Sequence, residues 1–175
     1  GIGIRNIRLI SGLSGIDVLG QYLPGHIAVS DRIGFVCNEI AVIGLGEWGK
    51  VVLENLAKIY AGVIHGVARS NYPEWQAKKD KGELPENIRI QSAKRYKREI
   101  LRNTDIKAIF ITTKFNTHYK LAKQALLKGK DVFVEKPFTQ TFRQAKKLVK
   151  LAEKKGRILV IGYELMFDSN VKLLK

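Results

Sequence analysis

The sequence predicts an α/β protein built on a doubly wound, mostly parallel sheet. Three observations predict it. From residue 39 onward, short apolar runs alternate with amphipathic stretches of helical period, the pattern of parallel strands joined by crossover helices. A glycine-rich turn, Gly44-Leu45-Gly46-Glu47-Trp48-Gly49, stands between the first run and the first helix. Glu135-Lys136-Pro137 follows a later apolar run, Val132-Phe133-Val134, and precedes another helix. A glycine turn can hold a dinucleotide but performs no chemistry. A lysine at a strand end can place an ammonium beside a reacting carbon.

Residues 1–37 stand apart. They hold seven glycines, five charged residues and no clear period. Loops, short strands or part of another module are all compatible with them. Residues 39–43 read as a strand, and 48–59 as a helix with Val52, Leu53, Leu56 and Ile59 inward. A strand is expected over 63–68 and a helix over 73–81, broken by the stretch from Gly82 to Pro85. A short strand over 88–91, a helix over 96–102 and a buried strand over 108–112 follow. Asn116 can cap a helix in which Leu121, Ala122, Ala125 and Leu126 share one face, and Gly129 stops it. Residues 132–134 form the next strand. Thr141 and Gln144 have capping-box spacing and open a helix that ends near Gly156. A strand over 158–161 closes the pattern, and 167–175 begins a further helix. The chain thus divides into an irregular segment (1–37), a domain (38–162) and a connecting segment (163–175).

With 175 residues, 45% of them hydrophobic, the chain can bury a core. No apolar stretch is long enough to span a membrane. No continuous apolar run follows Arg5 and Arg8, so a signal peptide is not expected. The single Cys37 excludes an internal disulfide and a multi-cysteine metal site; it reads as a small apolar residue near a strand start. No metal ligand set and no hydrolase nucleophile motif is found. A cytoplasmic location is expected. His26 and His65 read as structural.

The net charge of +15 needs an account. Many lysines fall on the outward positions of predicted helices. In the helix that Thr141 opens, Ala145, Leu148, Val149 and Ala152 form the apolar face, and Arg143, Lys146, Lys147 and Lys150 lie off it. A solvated lysine-rich surface is the plain reading. An anionic substrate or cofactor is the functional one. Lys94-Arg95-Tyr96-Lys97-Arg98 is the densest cluster, but one tyrosine is little for base stacking. Nucleic acid is therefore not the expected partner.

The glycine motif gains meaning from its strand–turn–helix context. Gly44 would allow the tight turn, Gly46 the approach of the pyrophosphate, and Gly49 close packing of helix on strand. The helix N-terminus would offer its free N–H groups to the phosphates. An NAD-preferring site usually ends its second strand with Asp or Glu. Ala68 stands there instead, followed by Arg69 and Ser70. A guanidinium and a hydroxyl suit a 2′-phosphate, so the cofactor is NAD(P), with NADP favoured over NAD.

Residues 39–175 resemble the N-terminal Rossmann domain of the glucose–fructose oxidoreductase / inositol dehydrogenase (Gfo/Idh/MocA) family. The likeness runs in order through the GLGEWG turn, IFITTKFNTH (109–118), LAKQALLKGKDVFVEKPF (121–138) and the closing IGYELMFDSNVKLLK. The resemblance implies a Rossmann fold and oxidation or reduction of a sugar, polyol or nucleotide-sugar. Lys136 would be its active-site lysine, close to substrate. Its ammonium could stabilise a developing alkoxide or tune a proton relay. Glu135 would lie beside the nicotinamide. Pro137 can follow a cis bond in this family. Glu47 and Trp48 would belong to the cofactor turn. Thr112 and Thr113 would sit under the cofactor, Asn116 and His118 near its nicotinamide half, and Tyr163 towards substrate. The turn's tryptophan and the closing segment look more like the sugar-nucleotide branch than the inositol branch.

Two departures stand out. Lys114 replaces the proline usual after the second threonine. The family's second α/β domain, which supplies the substrate pocket, is absent or truncated in this sequence. A homo-oligomer formed through that domain stays open. The expected function is the cofactor-binding part of an NAD(P)-dependent dehydrogenase acting on CH–OH groups. A non-catalytic NAD(P)-binding or regulatory module is the alternative, and a basic nucleic-acid-binding domain is the third.

Overall fold

The computed structural model describes residues 7–10, as backbone, and 39–162. Its strands are β1 (Ile7–Ile10), β2 (Glu39–Ile43), β3 (Val63–Ala68), β4 (Ile88–Ser92), β5 (Ile106–Ile111), β6 (Asp131–Glu135) and β7 (Leu159–Gly162). Its helices are α1 (Glu47–Ile59), α2 (Tyr72–Asp80), α3 (His118–Leu127) and α4 (Phe142–Lys155). The strands form one sheet in the order β1-β7-β6-β5-β2-β3-β4, and every pairing is parallel. The chain runs outward from β2 through β3 to β4, then returns to place β5 on the other side of β2. That reversal makes the gap between β2 and β5 the topological switch point, where open α/β sheets bind ligands at the carboxyl ends of their strands.

Alternation along β2 assigns the two faces. Ile40 and Val42 join Val52, Leu53 and Leu56 of α1 and Trp75 of α2 in one core. Ala41 and Ile43 join Ala122, Ala125 and Leu126 of α3 and Leu148 and Ala152 of α4 in the other. Leu53 is fully buried, and its side chain contributes roughly 1.5–3 kcal/mol by leaving water. Both sides of the sheet are covered, which is why the strands read as nearly unbroken apolar runs.

Ile7–Ile10, one of the short strands that the segment without a clear period allows, pairs with β7 at the sheet edge. Other expectations needed correction. Ile59 is 41% exposed; the inward stripe of α1 ends at Leu56, and Ala57 and Tyr60 cover the core there. The helix expected over 96–102 is a short turn, Ala93–Arg95, running into a π-helix, Tyr96–Leu101. The wider turn brings Tyr96, Ile100 and Leu101 into the core. Asn116 does not cap α3. It is exposed within a 3-10 turn, Phe115–Thr117, and Thr117 holds the N-cap position without a side-chain capping bond. Thr141 does cap α4, accepting from Gln144 N–H at 3.2 Å, although Gln144 reaches back to the N–H of Gln140. Cys37, His26, Tyr163 and the helix expected over 167–175 lie outside the described residues.

A buried polar cluster interrupts the apolar pattern. His65, 2% exposed, donates from Nε2 to Glu39 Oε2 at 3.0 Å. Its Nδ1 accepts from the Gln91 amide at 2.7 Å. Asn103 also donates to Glu39 Oε2 at 2.7 Å. Burial lowers the pKa of His65, against the opposing pull of Glu39. Among the described residues, no helix is long and apolar enough to cross a membrane.

Candidate functional site: a glycine turn and a lysine loop on one sheet edge

The glycine turn leaves the carboxyl end of β2 at the switch point. Gly44 has φ +101°, and its N–H donates to the Val67 carbonyl at 2.9 Å. A side chain there would be strained and would meet Thr113 Cγ2 at 2.7 Å. A Cβ on Gly49 would fall 1.9 Å from the Gly44 carbonyl oxygen and 2.8 Å from Thr112 Oγ1. Gly49 therefore lets α1 begin directly against the turn. Gly46 differs: a Cβ there would meet nothing within 4 Å. Gly46 is the N-cap of α1 and supplies no side-chain capping bond. The first N–H groups of α1 thus face an open approach, the arrangement that receives a phosphate. Glu47 and Trp48 are exposed in this first turn.

Neighbouring loops buttress the turn. Thr112 Oγ1 lies 3.1 Å from the Ile43 carbonyl and 2.9 Å from that of Gly44, tying the end of β5 to the end of β2. Thr113 shares a 2.6 Å hydroxyl contact with Thr117. Arg69 and Ser70 are exposed just beyond β3. The Leu45 carbonyl accepts from the Asn71 side chain and from Trp75 Nε1, the latter at 3.1 Å. These two bonds hold the loop carrying Arg69 and Ser70 against the glycine turn. Sequence reasoning missed Asn71 and Trp75. Their spacing from Leu45 carries no local signal, although an asparagine between a strand and a helix is a fair turn candidate.

Glu135-Lys136-Pro137 leaves the same edge, at the end of β6, two strands from β2. Adjacent strands lie about 4.8 Å apart, so the loop starts roughly 10 Å from the glycine turn. Lys136 is exposed, and the Lys136–Pro137 peptide bond is cis. Glu135 is buried, and its Oε2 accepts from the Lys136 N–H at 3.1 Å. A Cβ on Gly162 would stand 3.1 Å from Glu135 Oε1, so the bare backbone of β7 makes room for this carboxylate. His118, 1% exposed, has Nε2 2.8 Å from the Thr113 carbonyl and Nδ1 2.9 Å from that of Pro137. Both ring nitrogens are engaged with backbone, joining the loop after β5 to the loop after β6. Asn116 and Lys114 are exposed on the first of these loops.

The arrangement places the uncapped start of α1 at one strand end and an exposed lysine two strands away. A model of the oxidoreductase family GFO_IDH_MocA, NAD-binding Rossmann fold, matches residues 38–163. The chain belongs to this family.

Among the relatives, myo-inositol 2-dehydrogenase of Thermotoga maritima is 27% identical over 137 residues, covering 78% of this chain and 39% of the relative. Biliverdin reductase A of Mus musculus is 30% identical over 120 residues, covering 69% of this chain and 37% of the relative. The crystal structure of an oxidoreductase from Bacteroides fragilis superposes with a TM-score of 0.63 at 28% identity, over 78% of this chain and 40% of that one. The chain therefore spans about two fifths of the length of these relatives. It is an NAD-binding oxidoreductase-family domain with a Rossmann fold, as the sequence predicts.

Proposed function

We propose that the chain is the cofactor-binding part of an NAD(P)-dependent oxidoreductase. Its reaction moves hydride between nicotinamide and a secondary alcohol carbon of a sugar, polyol or nucleotide-sugar. The observation that carries this reading is the placement of Lys136 on the same sheet edge as the uncapped start of α1. The open space at Gly46 and the free first turn of α1 fit a pyrophosphate. The nicotinamide, when bound, supplies the hydride chemistry. Every other task falls to the protein. The first turn of α1, with Gly46, Glu47, Trp48 and Gly49, holds phosphate. Thr112 and Thr113 support the turn from below. Arg69 and Ser70 receive the 2′-phosphate of NADP, the favoured cofactor. Glu135 helps fix the nicotinamide half, together with Asn116 and the loop held by His118. Lys136 presents its ammonium to the substrate oxygen and stabilises negative charge as it develops there. Tyr163 is assigned to the substrate side.

The Thermotoga relative's name supports an alcohol substrate. The mouse relative's name points to a different one, so biliverdin belongs in the substrate panel beside inositol and nucleotide-sugars. The test uses the full-length protein. Lys136→Ala should lower kcat by about 10²-fold or more, the scale of a lost electrostatic or acid–base group, while the Kd for NADPH stays unchanged. An unchanged kcat removes Lys136 from the mechanism. Tight cofactor binding without turnover on any member of the panel favours the binding-module reading instead.

A further inference from the structure

Among the described residues, the charge carried by the helices is segregated between the two faces of the sheet. On one face, α1 carries Glu47 and Glu54 against Lys50 and Lys58, and α2 carries Glu74 and Asp80 against Lys78 and Lys79. Both helices sum to zero. Three of these four cations are also engaged locally: Lys50 approaches Glu54 at 3.8 Å, Lys78 lies over the Trp75 ring, and Lys79 donates to the carbonyls of Pro85 and Glu86.

The opposite face is strongly basic. There α4 presents Arg143, Lys146, Lys147, Lys150, Lys154 and Lys155 against Glu153 alone. Beside it, α3 adds Lys120 and Lys123 with no acid. Ala93–Arg95 and Tyr96–Leu101 add Lys94, Arg95, Lys97 and Arg98 against Glu99. These segments together hold ten more positive than negative side chains, and every one of these cations is exposed. No acidic side chain among the described residues pairs with the cations of α4. The division follows the two cores, since α3, α4 and the π-helix pack on one side of the sheet and α1 and α2 on the other. A merely lysine-rich composition would have charged both sides.

We infer that the face formed by α3, α4 and residues 93–101 docks on the phosphate backbone of duplex nucleic acid. The face is about 21 Å long, the length of the 14-residue α4, which spans several phosphates of one strand. Tyr96, the aromatic within the densest cluster, is buried in the core, so it offers no platform for stacking unpaired bases. The cations are mostly lysines, which bind phosphate as point charges rather than reading base edges through a fork. A bilayer fits less well. The exposed apolar side chains of these segments, Phe115, Leu127, Phe142 and Ile158, stand at or beyond the helix ends rather than between the basic positions of α4, so they form no apolar stripe along the basic area. The inference is independent of the proposed oxidoreduction.

Fluorescence anisotropy of the full chain with a random-sequence DNA duplex tests it, over about 50–200 mM salt. Binding at low salt should weaken steeply and log-linearly as salt rises. Combined Lys146→Ala, Lys147→Ala and Lys150→Ala should reduce the slope by about one unit per lysine and weaken low-salt affinity by about tenfold or more. Alanine favours helix at these exposed positions, so this variant should fold; Lys120→Ala with Lys123→Ala provides a second reading on a separate helix. Lys58→Ala with Lys81→Ala, away from the basic face, should leave binding unchanged. Absence of duplex binding at low salt overturns the inference. So does equal weakening by the control pair, which would mean net charge rather than a face. Loss of binding to phosphatidylserine vesicles but not to duplex on removing the α4 lysines also overturns it.

Discussion

His118 Nδ1 lies 2.9 Å from the carbonyl oxygen of Pro137, the residue that follows the candidate lysine. The other ring nitrogen meets the Thr113 carbonyl at 2.8 Å. Carbonyls only accept, so each bond needs a proton on the ring nitrogen that makes it. A neutral ring donates to one of the two; a charged ring donates to both. Either way a single buried ring sets the spacing between the loop beneath the glycine turn and the loop bearing Lys136. Removing it should cost about 1–3 kcal/mol, the scale of a buried acceptor left unpaired, read as a lower denaturant midpoint for His118→Ala. On the proposed reading, the same change in the full-length protein should lower kcat more than it raises the Kd for cofactor, because the loop bearing Lys136 loses its anchor. An unchanged midpoint would show that the two carbonyls find other donors.

Gly46 and Gly49 should separate binding from folding. Gly49→Ala forces a Cβ to within 1.9 Å of the Gly44 carbonyl oxygen, a backbone contact that only movement of α1 can relieve. It should lower the thermal midpoint. Gly46→Ala meets nothing within 4 Å and should leave the midpoint nearly unchanged while weakening NAD(P)H binding, since the new methyl group occupies the phosphate approach. Paired thermal scans and cofactor titrations check both, and equal NADPH affinity in Gly46→Ala would remove the turn from the cofactor site.

Arg69 should govern which cofactor is preferred. It is exposed on a loop tied to the turn by Asn71 and Trp75. Arg69→Ala should weaken NADPH binding by about tenfold, the loss of one charge-assisted contact of roughly 1.5 kcal/mol, and change NADH binding little. Titration of both cofactors against wild type and variant decides it; tighter NADH than NADPH binding by the wild type ends the NADP assignment.

His65 should make stability pH-dependent. Burial depresses its folded pKa, so below the unfolded value of about 6.5 the unfolded chain binds the extra proton. Stability from this group is complete above that value and declines as pH falls through it towards the folded pKa. The thermal midpoint should be lower at about pH 5.5 than at about pH 7.5, and His65→Gln should flatten the difference. A wild-type midpoint that rises on acidification between those values would contradict the sign.

Much of the fold was legible because it rests on local pattern. The strand over 63–68 matches β3 residue for residue, and Val52, Leu53 and Leu56 are buried as their spacing predicts. The failures occur where local pattern yields to packing over distance. Asn116 has capping chemistry, but the 3-10 turn before α3 places Thr117 at the cap and leaves Asn116 outside it. Tyr96–Leu101 reads as an ordinary helix, yet it forms a π-helix whose Tyr96, Ile100 and Leu101 are buried.

The sequence by itself determined the order of strands and helices from residue 39 onward, the glycine turn in its strand–turn–helix setting, and the register of Glu135-Lys136-Pro137. These depend on side-chain period and backbone restrictions that act over a few residues. Only the tertiary structure decided that the two motifs share one sheet edge, that Asn71 and Trp75 brace the turn, that His118 links Thr113 to Pro137, and that the positive charge gathers on one face. Those facts arise from parallel pairing across a switch point, which brings together residues far apart in the chain and sorts its helices onto opposite sides of the sheet.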